Sequence, residues 1–211
     1  MILLDLEGTT TPISFVHEVL FPYARARLVV DGADHAALRA EYESDRDRDR
    51  PPTFESTAYA HWLMDRDRKS TALKALQGRL WRRGYERGEL RSIVYDDVPR
   101  ALARWHDAGR TIAIYSSGSI EAQQLLLRYS NHGDLTPYVS QYFDTTTGPK
   151  REAASYRAIG RGTFISDTVA ELVAAREAGF TGVLAVRPGN ASVGGHAFPT
   201  IRTFDELEVP V

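Results

Sequence analysis

The chain opens Met-Ile-Leu-Leu-Asp-Leu-Glu-Gly-Thr-Thr-Thr-Pro, an apolar run that stops at two carboxylates two positions apart, followed by glycine and hydroxyls. No other stretch constrains the fold as tightly. It reads as a buried strand that delivers ionisable groups at its carboxyl end, the place where open α/β sheets bind ligands. Where the strand breaks into a loop, Asp5 and Glu7 can both turn toward one crevice, Asp5 as nucleophile or metal ligand and Glu7 as its acid/base partner. The plain structural alternative is a strand end with an Asx turn at Asp5 and solvated hydroxyls behind it.

Three further strand-end signals follow in order: Thr-Ile-Ala-Ile-Tyr-Ser-Ser-Gly-Ser (111–119), Gly-Pro-Lys (148–150) and Thr-Phe-Ile-Ser-Asp-Thr-Val-Ala-Glu (163–171). Together the four resemble the motif set of the haloacid dehalogenase superfamily. Within it the chain is most similar to the enolase-phosphatase (acireductone synthase) family of methionine salvage. That resemblance rests on Asp-Leu-Glu-Gly-Thr-Thr-Thr-Pro-Ile (5–13), Phe-Pro-Tyr (21–23), the segment Asp67 to Gly78, Tyr-Ser-Ser-Gly-Ser-Ile-Glu-Ala-Gln (115–123) and Val-Arg-Pro-Gly-Asn-Ala (186–191). It runs nearly end to end.

A chain of 211 residues with 43% hydrophobic content can bury a full core, as one domain or as a core with an inserted lid. Its net charge of -2 gives no electrostatic case for nucleic acid or an anionic membrane surface. Having no cysteine, it has no disulfide framework, thiolate nucleophile or cysteine metal site. The first strand starts at residue 2 without a charged leader, and no apolar run approaches the roughly 20 residues of a membrane span. A soluble cytoplasmic protein is the expectation.

Short buried runs at 1–5, 111–116, 163–166 and 182–186, with a weaker one at 141–144, predict an α/β, doubly wound, Rossmann-like core of mainly parallel strands. Between residue 12 and about residue 92 there are only helical patterns, one with Phe15, Val19, Leu20 and Tyr23 on a single face. Trp62, Leu63, Leu73, Leu76, Leu80 and Trp81 read as a second, small core. An insertion of this length exceeds an ordinary loop. The expected division is therefore 1–12 with 93–211 as the core and 13–92 as a helical cap domain. The Asp- and Arg-rich stretch Glu43 to Pro52 reads as a solvated loop or frayed helix end. Relatives, as the family implies, carry a longer connection here, so the cap is trimmed.

Ser116 and Ser117 stand at a strand end, before Gly118 and a helix starting near Ser119. That placement suits phosphate or enolate oxygens at a helix N-terminus, and equally suits simple helix capping. Lys150 follows a Gly-Pro turn and opens the helix carrying Tyr156 and Ile159; a lysine there is ordinarily solvated, but this one falls where the superfamily places its phosphate-neutralising lysine. Asp167 and Glu171 are one helical turn apart, and Asp167 also reads as an N-cap. Glu171 reads as a supporting residue, not a direct ligand. Of the six histidines, His17 is a candidate for the cleft or for an exposed helix position, and none shows the spacing of a zinc site.

The resemblance implies phosphoryl transfer to Asp5, with Mg²⁺ as cofactor held by the Asp5 and Asp167 carboxylates and the main-chain carbonyl of Glu7. Glu7's side chain then does the proton work, with Ser116, Ser117 and Lys150 binding the substrate phosphate. Most of the superfamily carries aspartate at the position of Glu7. The implied substrate is the small phosphorylated diketone 2,3-diketo-5-methylthiopentyl-1-phosphate, enolised and dephosphorylated to the acireductone, with Glu7 and a cap residue as the candidate bases for enolisation. No nucleic-acid or membrane partner is expected, and the family implies a monomer. The rival readings are a phosphatase of the same superfamily for another metabolite and a non-catalytic phospholigand-binding module.

Overall fold

The computed structural model describes residues 1–191 and 194–207; the remaining positions of the expected core, 192, 193 and 208–211, lie outside them. In chain order the elements are β1 (Ile2–Leu4), a π-helical turn (Phe15–Leu20), α1 (Phe21–Ala26), α2 (Gly32–Ser44), α3 (Ser56–Asp65), α4 (Thr71–Glu86), α5 (Asp97–Asp107), β2 (Ile112–Tyr115), α6 (Ile120–Arg128), β3 (Gln141–Phe143), α7 (Ala153–Ile159), β4 (Thr163–Ser166), α8 (Val169–Glu177), β5 (Thr181–Ala185) and β6 (Thr200–Ile201). They form two compact units, Met1–His17 with Leu90–Val211, and Glu18–Glu89.

The first unit holds one sheet in the order β3-β2-β1-β4-β5-β6, every pair parallel. The expected strands are all present, each within a residue or so of its expected bounds. β6 was not expected, because a two-residue edge strand leaves no pattern to read. Alternation of side chains across the strands builds a core on each face. Ile2, Leu4, Ile112, Ile114, Ile165 and Val183 pack with Val98 and Trp105 of α5 and Leu126 and Leu127 of α6. Leu3, Tyr115, Phe164 and Leu184 point the other way, onto Tyr156 of α7 and Leu172 of α8. The sheet is therefore doubly wound. Trp105 is fully buried, and truncating it to alanine would cost about 3–5 kcal/mol.

Strand order reverses between β1 and its two neighbours, β2 on one side and β4 on the other. That switch point opens a crevice beyond the carboxyl ends of the strands, and Asp5, Ser116 and Asp167 are the residues that follow β1, β2 and β4.

The second unit is entirely helical and has its own core of Ala24, Leu38, Tyr59, Trp62, Leu63, Leu73, Leu76 and Leu80, with Trp81 packed against it. Asp31 caps α2 in a reciprocal arrangement with Asp34, Glu55 caps α3 and Ser70 caps α4. One expectation fails here. Phe15, Val19, Leu20 and Tyr23 do not share one face: Phe15 and Leu20 are buried but Val19 is exposed. The π turn has more residues per turn than an α-helix, so the three- and four-residue spacing loses its meaning across it.

The stretch 43–52 is only in part the solvated loop or helix end expected: α2 ends at Ser44 and Glu43, Arg46, Arg48 and Asp49 are exposed, but other polar groups of the stretch are held. Asp45 keeps only 7% of its side chain exposed and accepts hydrogen bonds from the Tyr59 hydroxyl at 3.0 Å and the Asp47 N–H at 2.9 Å. Arg50 donates to the carbonyls of Tyr42 and Asp45. The Trp62 indole N–H donates to the Asp49 carbonyl, and the Tyr42 hydroxyl to that of Pro51. Asp45, Asp47 and Arg50 thus each have specific partners.

Candidate active site

Behind β1 the chain turns so tightly that the N–H groups of Thr9, Thr10 and Thr11 all point to the Leu6 carbonyl. Gly8 makes this possible with φ +75, and a Cβ there would stand 2.2 Å from Asp167 Oδ2. The three threonines are buried, so they are not the solvated hydroxyls of the plain alternative. Thr10 donates to the Asp5 carbonyl, and Thr9 Oγ1 accepts the Asp167 N–H. The loop therefore fastens Asp5 to Asp167.

Asp5 is 3% exposed. Its Oδ1 accepts the Leu6 N–H at 2.8 Å and pairs with Lys150 Nζ at 2.6 Å. Lys150 also reaches Glu171 Oε2 at 2.7 Å, and its side chain is only 9% exposed. It is thus a buried bridge, not a solvated lysine, and it sits in the turn before α7 instead of opening that helix. Three hydroxyls pin the turn: Tyr115 donates to the Gly148 carbonyl, Ser155 to Pro149 and Tyr156 to Lys150. Burial acts to discharge the Lys150 ammonium, but Asp5 and Glu171 outweigh it and hold its pKa above the ordinary range.

The carboxylates are less well compensated. Glu171 is pushed up to about 7, first by burial and then by the charge of Asp5. Asp167 is pushed up to about 6 by the same two causes in the same order. The partners of Asp167 are neutral donors, the Thr168 hydroxyl at 3.1 Å and the Asn190 amide at 3.2 Å. It does not cap α8, whose N-cap is Thr168. The Ser166 hydroxyl stands 3.0 Å from Asp5 Oδ2 and 3.1 Å from Glu171 Oε2, so its single proton serves one of them at a time.

Glu7 faces Ser116, whose buried hydroxyl lies 2.9 Å from Oε2 and 3.1 Å from Oε1. Burial, then the charge of Asp5, raises the Glu7 pKa. Ser119, not Ser116 or Ser117, caps α6 by accepting the Ala122 N–H. Ser116 Oγ instead accepts the Gly118 N–H, and Gln123 Nε2 ties the Gly118 carbonyl to that of Phe143. His17 is exposed.

Asp5 with Lys150 and Glu7 with Ser116 thus form two directly contacting pairs at the strand ends, and the charge of Asp5 acts on both Glu7 and Asp167. Sequence reasoning missed Thr9, Ser166, Arg187 and Asn190. Arg187 donates to the Thr9 carbonyl at 2.8 Å and pairs with Asp97 at 2.9 Å. Its one signal was the Val-Arg-Pro-Gly-Asn-Ala string after β5, which carried the family resemblance but suggested no role for Arg187.

The haloacid dehalogenase-like hydrolase family matches residues 1–179. The chain is 49% identical to enolase-phosphatase E1 of Synechococcus elongatus, across 98% of this chain and 96% of that one. It is 45% identical to the enolase-phosphatase E1 of Sorangium cellulosum, with 98% and 96% covered. Among solved structures, the UTR4 protein of Saccharomyces cerevisiae superimposes with a TM-score of 0.78 at 34% identity, covering 98% of this chain and 99% of that one.

Proposed function

The chain belongs to the haloacid dehalogenase-like hydrolases, among their enolase-phosphatases, and on that premise we propose that it converts 2,3-diketo-5-methylthiopentyl-1-phosphate to the acireductone and phosphate in methionine salvage, through an aspartyl-phosphate on Asp5. The observation that carries this reading is the Asp5–Lys150–Glu171 bridge at the sheet's switch point, with Asp167 beside it on neutral donors only. The buried lysine pairs with Asp5 at 2.6 Å and aims it, as a nucleophile must be aimed. Asp167 has no such cation and pays for it in a raised pKa.

Mg²⁺ fits the residues present. The donors are all oxygens, and Gly8 leaves the Asp167 carboxylate room that any Cβ would take. Among the described residues no three His, Cys, Asp or Glu side chains cluster as a metal site; in this reading the holders would be two carboxylates, Asp5 and Asp167, and one main-chain carbonyl, that of Glu7. When bound, Mg²⁺ supplies charge neutralisation between carboxylate and phosphate and an electrophilic site for the substrate's oxygens.

The chain's own residues do the rest. Lys150, with Ser116 and Ser117, receives phosphate charge. Asp5 attacks phosphorus as the bond to the leaving oxygen breaks. Glu7, whose raised pKa keeps a proton available nearer neutrality, protonates that oxygen; as a carboxylate it then takes a proton from the water that hydrolyses the aspartyl-phosphate. Ser116 fixes the Glu7 carboxyl group for both steps. The reading divides the chain into a phosphoryl-transfer core, 1–12 with 93–211, and a cap, 13–92. It describes a cytoplasmic monomer without nucleic-acid or membrane partners. No helix among the described residues is long and apolar enough to cross a membrane.

Phosphate release from the diketone phosphate, with and without Mg²⁺, tests the reading. Release should vanish in EDTA and return with added Mg²⁺. Undiminished turnover in chelator would remove the metal from the account, and turnover of other small phosphoesters in preference to the diketone would remove the substrate.

A further inference from the structure

Asn190 lies in the loop after β5, well away in sequence from every residue assigned a role above. Its Nδ2 donates to the Gly8 carbonyl at 2.7 Å and to Asp167 Oδ2 at 3.2 Å. The orientation of the amide is not in question, because the Gly8 carbonyl is an acceptor only and must face the NH₂ group. The other end, Oδ1, is buried and has no hydrogen-bond partner. A buried amide oxygen without a partner is costly unless something else is served by it.

What the NH₂ group touches is informative. Gly8 is joined by its peptide bond to the Glu7 carbonyl, and Asp167 is the carboxylate with no cationic partner of its own. One amide therefore fastens the loop bearing one oxygen donor to the side chain bearing another. Arg187, three residues earlier, braces the same loop through the Thr9 carbonyl, and Thr9 in turn holds the Asp167 N–H. With Oδ2 occupied by Asn190 and Oδ1 by Thr168, the carboxylate plane is fixed before any ligand arrives.

We infer that Asn190 is a positioning residue for the cation: by holding the Gly8 carbonyl and the Asp167 carboxylate together, it sets the loop that carries the Glu7 carbonyl at the spacing from Asp167 that Mg²⁺ requires. Octahedral Mg²⁺ tolerates little error in ligand placement, and partners that orient a metal ligand are typically worth about 10- to 100-fold in metal affinity. The inference rests on the reading of Asp167 as a ligand.

The test is Mg²⁺ titration of the substrate-free protein, read as the Mg²⁺-dependent rise in thermal midpoint, beside the Mg²⁺ concentration that half-saturates phosphate release. In Asn190→Ala both should shift to higher Mg²⁺ by about tenfold or more, while kcat at saturating Mg²⁺ stays within a few-fold of wild type. A purely structural role would lower the midpoint in the absence of Mg²⁺ and leave the Mg²⁺ dependence alone. If Asn190→Ala does not fold, Asn190→Ser, polar but too short to span both acceptors, carries the same prediction. Asp167→Asn separates the two claims. Lost Mg²⁺ response in Asp167→Asn with an unchanged response in the Asn190 variant overturns the role of Asn190 alone; an unchanged response in both overturns the cation reading and this role with it.

Discussion

Each unit of the molecule buries carboxylates, and they are treated in opposite ways. In the helical unit, burial acts to raise the pKa of Asp45, but the Asp47 N–H, the Tyr59 hydroxyl and Arg68 more than offset it and leave the group below its ordinary value. In the α/β unit, burial and the neighbouring Asp5 charge drive Asp167 up to about 6 and Glu171 up to about 7. The first cluster is satisfied and holds a loop in place. The second is left short of positive charge at the switch point of the sheet, and perturbed carboxylates of this kind cluster at functional sites.

Removing the one cation of the strained cluster should have the largest effect. Lys150→Met strands Asp5 and Glu171 together in the interior, and phosphate release should fall by about 10³-fold, with a loss of about 3 kcal/mol in denaturant unfolding at neutral pH. A variant that keeps wild-type turnover would show that the Asp5–Lys150 pair is structural only.

The satisfied cluster should respond next. Asp45→Asn removes charge-assisted acceptors and should destabilise the protein by about 2 kcal/mol, again by denaturant unfolding. Asp167→Asn should do the reverse in metal-free protein at neutral pH, raising stability by about 1 kcal/mol once solvent screening of this partly exposed group is allowed for. Equal destabilisation by the two substitutions would erase the contrast between the clusters.

The pH dependence has opposite signs in the two places. Asp167 and Glu171 have folded pKa values above the ordinary 3.8 and 4.5, so their contribution is fully present below about pH 4 and is lost as pH rises through 6 to 7. Asp45 has a lowered value, so its contribution is present above its ordinary pKa of 3.8 and is lost as pH falls below it. Metal-free protein should therefore lose stability between pH 5 and pH 8, and Asp167→Asn should flatten part of that decline in thermal scans. A wild-type profile that rises over this interval would contradict the shifts. The smallest effect belongs to Arg68→Met: Arg68 is 40% exposed and Asp45 keeps its other donors, so the cost should be about 0.5 kcal/mol.

Strands β1, β2, β4 and β5 were legible because each contains a short apolar run followed within a residue or two by a charge or a hydroxyl; β3, weaker in pattern, and β6, two residues long, were not so plain. The same endings located Asp5, Glu7, Ser116 and Asp167, since a parallel sheet gathers its strand ends on one side. Lys150 was found through motif order; its burial depends on Asp5, 145 residues earlier in the sequence. Asn190 escaped because its partners, Gly8 and Asp167, come from other loops, and the Val-Arg-Pro-Gly-Asn-Ala string pointed to the family without assigning Asn190 a role. The stretch 43–52 was partly misread, for a related reason. Alternating Asp and Arg ordinarily marks a wet surface, and only the fold brings Tyr59, Trp62 and Arg68 back onto it.

The central claim is that Asp5 is the nucleophile and that enolisation does not need its charge. Asp5→Asn keeps the size of the side chain and an oxygen able to face the cation while removing the attacking carboxylate. Given the diketone phosphate and Mg²⁺, this variant should accumulate the enol phosphate, seen as new ultraviolet absorbance, and release no inorganic phosphate. Phosphate release at the wild-type rate would contradict the assignment of Asp5. Loss of both products with Mg²⁺ binding intact would show that the two half-reactions share it.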